Sequence, residues 1–397
     1  MRVIARGRTV VPWILGTCLI LAGCEAEMEE RIETADSLLS TLQEGWNPIV
    51  PGGETICSDG SEYRFFVRPA DPARLVVYFQ GGGACWTGTT CDPQGEPTYK
   101  VTADPELRSA SGSEPEEGTL HGILAFARRD NPFRDYSVVF VPYCTGDVHI
   151  GDRVATYKVP ASEETPEREI TVHHRGYTNA SAVLDWTFEH FRSPETIFVT
   201  GSSAGAIPSP LYARLLADHY AEARVVQLGD GAGGYRNLGE TRPHAEWGTL
   251  AALSHLPDFA AMTEEEFSFE GLYVTSGRAH PQAMFARYDT AEDEVQVRFL
   301  QLGGNDVASL EPLLEANEAD IDAAISNYRS YVAPGELHTI LLRPELYSYA
   351  VGSMGVRDWV ADLAGGETVD DVHCGMCTQP PAPAPAPPAA TGGGGAE

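Results

Sequence analysis

Basic side chains are scarce in this chain. Its 397 residues carry 27 Lys and Arg against 57 Asp and Glu, a formal net charge of -30 at pH 7. Such a surface repels phosphate backbones and anionic headgroups, so nucleic acid is not expected as a partner and polyanionic substrates are disfavoured. After the first 23 residues no long apolar run recurs, which leaves a soluble domain as the expectation for the remainder. No internal repeat and no clear linker interrupts residues 46–378, so a single domain is expected there. The cluster His373-Cys374-Gly375-Met376-Cys377 has no second half elsewhere, which argues against a zinc site. The glycine run at 81–83 lacks the lysine of a phosphate-binding loop. No metal and no cofactor are expected.

Both ends of the chain have distinctive composition. Arg2, Arg6 and Arg8 precede an apolar stretch that closes on Leu21-Ala22-Gly23-Cys24. Residues 1–23 have the shape of a secretory signal peptide. The closing four residues resemble a bacterial lipobox, which implies cleavage before Cys24 and a lipid on its thiol. Residues 24–45 are acidic and read as a tether. Residues 379–397, rich in Pro, Ala and Gly, read as a disordered tail. The expected location is the bacterial cell envelope, exported and membrane-anchored through lipid. Six cysteines then remain: Cys57, Cys85, Cys91, Cys144, Cys374 and Cys377. In an oxidising compartment an even count implies three disulfides, with about 15 possible pairings.

The middle of the chain alternates short β-rich runs with helical patterns. Strand candidates are residues 74–79, 137–141, 196–200, 224–228, 283–288, 295–301 and 338–342. Helices are expected over 178–191, where Val183, Leu184, Thr187, Phe188 and Phe191 share a face, and over 306–332. This alternation predicts an α/β fold with a mostly parallel sheet and helices on both faces.

One turn carries chemistry. The apolar run at 196–200 leads into Gly201-Ser202-Ser203-Ala204-Gly205 and then a helical pattern. Gly-x-Ser-x-Gly at a strand-to-helix turn is a nucleophile elbow, and its spacing selects Ser203 over Ser202. Pro208 and Pro210 predict a late or irregular helix start. Gly81-Gly82-Gly83, directly after a strand, resembles the oxyanion loop of esterases, with Gln80 in place of the histidine. Candidate acids are Asp230, Asp289 and Asp306. Histidines after the serine are His219, His244, His255, His280, His338 and His373. Pattern alone does not separate these pairs.

Five blocks together resemble the pectin acetylesterase and Notum-type carboxylesterases, over roughly residues 46–345. They are TICSDGSEYRFFV, YFQGGGACWTGTTCD, NPFRDYSVVFVPYCTGDVHIGD, TGSSAGA and LGDGAGGY, in the family's order. The resemblance implies an α/β-hydrolase-like fold with Ser203 as nucleophile, Asp289 as acid and His338 as base. The oxyanion donors would be the backbone N–H groups of Gly82, Gly83 and Ala204. It also implies disulfides Cys57–Cys144 and Cys85–Cys91, leaving Cys374 to pair with Cys377. Asp147, His149 and Asp230 fall in family blocks without an assigned role.

The expected function is carboxylic-ester hydrolysis through an acyl-enzyme, removing acetyl or other acyl groups from an extracytoplasmic ester. The substrate would be an acylated saccharide or a lipid-like ester, acted on by a monomer. The rivals are a lipid-anchored binding protein that keeps the fold without catalysis and a serine peptidase on the same fold.

Overall fold

The computed structural model describes residues 39, 41–104, 120–163, 165–236, 241–375 and 377, and the backbone of 382–383. The expected signal peptide, Cys24, most of the tether and nearly all of the tail lie outside the described residues.

The strands are β1 (Asn47–Ile49), β2 (Phe65–Arg68), β3 (Asp71–Phe79), β4 (Tyr136–Val141), β5 (Arg153–Val159), β6 (Arg168–His174), β7 (Thr196–Ser202), β8 (Arg224–Asp230), β9 (Met284–Thr290), β10 (Tyr328–Ala333), β11 (Tyr349–Val351), β12 (Met354–Gly355) and β13 (Val372–His373). Nine form the central sheet, in the order β1-β2-β4-β3-β7-β8-β9-β10-β13. Every pairing from β4 to β13 is parallel, while β1 and β2 join one edge antiparallel. The expected α/β-hydrolase-like architecture is therefore present. Strands β4 and β7 are buried along their whole length. Their β-branched and aromatic residues suit a sheet covered on both faces.

Alternation divides the core. Leu75, Val77 and Phe79 of β3 point to one face, where they join Ile197, Val199, Val183, Leu184, Tyr212 and Leu216. Val76 and Tyr78 point to the other, with Phe198, Leu228, Tyr288, Trp359 and Leu363. A third cluster, including Trp86, Tyr143, Val148, Ile207, Tyr235 and Trp247, covers the loops after the strands. The helices Gly176–His190, Ser209–His219, Phe269–Ala279, Glu311–Ala324 and Val356–Gly365 supply the outer layers.

Three local expectations are corrected. Residues 295–301 are not a strand but lie in the helix Glu294–Leu302, started by the Asp293 carboxylate, which accepts from Val295 N and Gln296 N. Residues 338–342 form a loop rather than a strand. The single helix over 306–332 is a helix at Glu311–Ala324 followed by β10, because the chain turns extended at Ile325. The delayed helix after the serine turn is as expected. A short 3-10 turn at Ser203–Gly205 precedes Ser209–His219, whose first turn accommodates Pro210.

The disulfides are Cys57–Cys144, Cys85–Cys91 and Cys374–Cys377. The first closes a loop of 87 residues, which in the chain-entropy account stabilises the fold by roughly 4.6 kcal/mol. Among the described residues no helix is long and apolar enough to cross a membrane.

Candidate active site

Adjacent parallel strands deliver the first half of the site. In their register Phe79 of β3 lies opposite Gly201 of β7. β3 runs into Gly81–Gly83 and β7 into Ser203. β3 is also where the strand order reverses, with β4 on one side and β7 on the other. In open α/β sheets the crevice at that point, outside the carboxyl ends of the strands, is where ligands bind.

Ser203 has a φ of 55°, a left-handed conformation uncommon for a residue with a side chain. The turn is tight because Gly205 lies against β3: a Cβ there would sit 2.0 Å from Phe79 O. Ser202 faces inward instead. Its Oγ donates to Asp230 Oδ2 at 2.5 Å and accepts from Tyr78 OH at 2.7 Å. The spacing argument for Ser203 thus has a structural counterpart: the neighbouring hydroxyl is already engaged twice.

The second half comes from loops. His338 Nε2 is 2.8 Å from Ser203 Oγ, and His338 Nδ1 is 2.7 Å from Asp293 Oδ2. A carboxylate only accepts, so Nδ1 carries the proton and Nε2 is free to accept from the serine. Asp293 is fully buried, and its Oδ1 accepts from Val295 N and Gln296 N at the helix start.

This geometry corrects one expected site residue. Asp289 does not touch His338. It lies within β9, one residue before the strand end, fully buried, accepting from Gly233 N and Gln296 Nε2. The chain advances four residues from Asp289 before a carboxylate, that of Asp293, reaches the imidazole. The missed signal was Asp293-Glu294-Val295-Gln296, an Asp followed three residues later by Gln, which marks a helix N-terminus. Asp306 and His373 are exposed and stand outside this array.

Gly82, Gly83 and Ser203 line one cleft of about 450 Å³. Gly83, Ala204 and Ser203 also line a small apolar recess beside it, with Ala84, Val148, Ile207, Tyr235 and Phe299. The three expected oxyanion donors are therefore grouped at the serine. Among the described residues, the N–H groups of Gly82 and Gly83 donate to no backbone carbonyl.

Two buried polar clusters brace these loops. His149 Nε2 is 2.8 Å from Gln80 O, the carbonyl just ahead of the glycines. Burial lowers His149 to about 4, so at neutral pH it is uncharged and its Nε2–H donates to that carbonyl. Val148 and His149 have φ of 47° and 59°, unusual for residues of their kind. They are held by Tyr143 OH, which accepts from Val148 N, by Tyr212 OH, which donates to His149 O, and by Asp147, which accepts from His149 N. Burial pushes Asp147 up to about 7, opposed by hydrogen bonds from Thr145, Gly176 and His149. In the second cluster, Asp230 accepts from Ser202 Oγ and from Ile340 N and Leu341 N. It ties the loop of His338 to the serine turn. Burial raises it to about 6, against those same hydrogen bonds.

The cleft reverses the sign of the surface. Lys100, one of only two lysines in the chain, and Arg343 line it, while no carboxylate does among the described residues. Neither cation forms an ion pair within the described residues.

Together these features define an α/β-hydrolase-like chain with a hydrogen-bonded Ser–His–Asp array at the switch point of its sheet. The family model for pectinacetylesterase matches residues 50–253, just over half of the chain. The chain belongs to this family of esterases. The matched stretch holds Gly81–Gly83 and Ser203 and ends before Asp293 and His338.

Similar proteins include palmitoleoyl-protein carboxylesterase NOTUM of Schmidtea mediterranea, 27% identical over 157 residues, 38% of this chain and 26% of that protein. The NOTUM protein of Homo sapiens is 27% identical over 97 residues, 24% of this chain and 18% of its own length. A third, from Danio rerio, is 28% identical over 110 residues, 27% of this chain and 74% of that protein, and is named inactive palmitoleoyl-protein carboxylesterase notum1b. The chain thus matches about a quarter of the length of the Schmidtea protein.

Proposed function

We propose that this chain is a serine esterase that removes a short acyl group, acetyl above all, from an ester whose alcohol part is negatively charged. The observation that carries the reading is the unbroken contact from Ser203 through His338 to Asp293 beside the glycine loop. Ser203 attacks the ester carbonyl while His338 takes its proton at Nε2. Asp293 holds Nδ1–H and stabilises the imidazolium. The N–H groups of Gly82, Gly83 and Ala204 receive the oxyanion, the alcohol leaves with the proton from His338, and water then releases the acid from the acyl-enzyme.

The acyl size follows from the recess beside Ser203. Its volume is about 20 Å³ and its lining is apolar, little more than the space one water occupies, which suits the methyl of an acetyl group. The alcohol part has the larger cleft with Lys100 and Arg343. The acidic surface does not outweigh these two cations, because charges beyond about 8 Å are largely screened at physiological salt. A carboxylated saccharide fits this environment better than a neutral or lipid-like alcohol. The disulfides support export. Anchoring through lipid on Cys24 and action as a monomer are part of the same proposal.

The test is hydrolysis of p-nitrophenyl esters from acetyl to palmitoyl, alongside acetylated neutral and acidic saccharides, by wild type and Ser203→Ala. Serine-dependent activity that falls steeply beyond acetyl and prefers the acidic saccharide is expected. No serine-dependent activity on any ester would leave a non-catalytic binding protein as the better reading.

A further inference from the structure

Behind Asp293 lies a second buried carboxylate. Asp289 and Gln296 are both fully buried. Asp289 Oδ1 accepts from Gly233 N at 2.8 Å and from Gln296 Nε2 at 3.0 Å. Its Oδ2 has no hydrogen-bond partner among the described residues and faces Arg287 Nε at 3.7 Å, which is unpartnered as well. The Gln296 amide donates its other hydrogen to Asp293 Oδ2 at 2.9 Å, and its Oε1 accepts from Gly234 N at 2.9 Å. This amide has one permitted orientation: a flip would turn its oxygen onto two carboxylates and its NH2 onto Gly234 N–H.

We propose that Asp289 is a positioning residue for the ester-cleaving site, fixing the Asp293 carboxylate through Gln296 and adding a negative charge behind His338. The proposal rests on the serine-esterase reading above. The contacts run without a gap from Asp289 to Gln296, Asp293, His338 and Ser203. The Asp289 carboxylate is ion-paired to Arg287 through Oδ2, while Oδ1 is committed to Gly233 N and to the Gln296 amide that holds Asp293. Its charge has a use in the reaction, because imidazolium forms at His338 as Ser203 gives up its proton.

The groups around Asp289 come from several elements. Arg287 lies on its own strand, with Glu318 of the helix Glu311–Ala324 beyond it. Asp293 stands at the helix start ahead of His338. Tyr235 follows β8, Tyr273 belongs to the helix Phe269–Ala279, Tyr288 is its neighbour on β9, and Tyr328 is on β10. Burial raises Asp289 to about 6, with Arg287 opposing most strongly. It is therefore charged at neutral pH and discharges in mild acid.

The experiment measures kcat and kcat/KM for p-nitrophenyl acetate against pH, together with the downfield proton signal of the His338 Nδ1–H. It uses wild type, Asp289→Asn, Asp289→Ala and Gln296→Met. Asp289→Asn keeps an acceptor for Gly233 and Gln296 but loses the charge, so the imidazolium is less favoured. The acid limb of kcat/KM moves to lower pH by about half a unit, with kcat down less than about tenfold. Asp289→Ala also releases the amide, and kcat falls about 10- to 100-fold while KM stays within about twofold. Gln296→Met gives a similar loss, and adding Asp289→Asn to it costs little more, because the two act through one contact. The proton signal shifts in every variant.

If the variants lose thermal stability but keep the acid limb, the proton signal and kcat per folded molecule, Asp289 is a core residue only and the proposal is overturned. Should the Asp289 variants not fold, Gln296→Met decides on the same readouts. Wild type without serine-dependent ester cleavage would defeat the esterase reading instead. The proton signal would still report whether Asp289 reaches His338.

Discussion

The two sides of the cleft are built differently. On one side, β3 and β7 end side by side in the sheet, and the glycine loop and Ser203 follow directly from them. On the other, Asp293 stands beyond the end of β9 at a helix start, and His338 lies in a loop beyond β10. The first side is positioned by parallel strands buried throughout. The second depends on side-chain tethers. Asp230 holds Ile340 and Leu341, Thr290 Oγ1 donates to Leu337 O, and Gly335 N donates to Cys377 O. A nucleophile and its oxyanion donors need fixed backbone, which strand ends supply. An acid and base need only side-chain reach, which loops supply once they are tied down.

Ser203→Ala and Ser202→Ala break this comparison most sharply. On the proposed mechanism loss of Ser203 removes the nucleophile, and kcat is expected to fall by about 10⁴- to 10⁶-fold. Loss of Ser202 removes only a link between Tyr78 and Asp230, so a fall of less than about a hundredfold is expected. Single-turnover acetyl release by both variants checks this, and equal losses would mean the spacing argument chose wrongly. Next comes Asp293→Asn, which leaves His338 in the wrong tautomer and should cost about 10⁴ in kcat. A loss that large from Asp289→Asn but not from Asp293→Asn would restore the carboxylate first expected from sequence. Third is Gly83→Ala. Gly83 has a φ of 77°, and a Cβ there would meet Thr98 O at 2.0 Å. The displaced loop should cost about 10²- to 10³-fold in kcat, with KM less affected.

The same division explains what was legible in the sequence. Ser203 and Gly82–Gly83 were readable because glycine spacing encodes a backbone path, and that path is local. The sheet was readable because strands such as Tyr136–Val141 are continuous apolar runs. His338 and Asp293 are brought to Ser203 by tertiary structure, so residue pattern could not pair them. The family resemblance points to Asp289, four residues before the carboxylate that reaches His338. Residues 295–301 added to the error. Val295, Val297 and Phe299 alternate as a strand would, while the Asp293 cap that makes them helical is local but brief. Tyr328 likewise fitted a helical face, although it begins β10.

Asp230 bridges the two sides, so its titration gives the smallest expected effect and the most direct test of their coupling. Its folded value, about 6, lies above the 3.8 of an ordinary aspartate because burial disfavours the charge. The folded state therefore binds this proton more tightly than the unfolded chain. That contribution to stability is fully present below about 3.8, fades as pH rises, and is gone above about 6. The two values imply a change of roughly 3 kcal/mol across that window. Asp230→Asn cannot titrate, and it loses acceptor capacity for Ser202, Ile340 and Leu341. It should thus melt below wild type at both ends of the window, with the gap in Tm wider at pH 4.5 than at pH 7.5. Ester hydrolysis should fall by about tenfold, because the His338 loop is then less firmly held to the serine turn. A Tm gap that does not change with pH would mean that Asp230 titrates alike in both states. The tether would then be an ordinary ionised carboxylate, and the two sides would be coupled by hydrogen bonds alone.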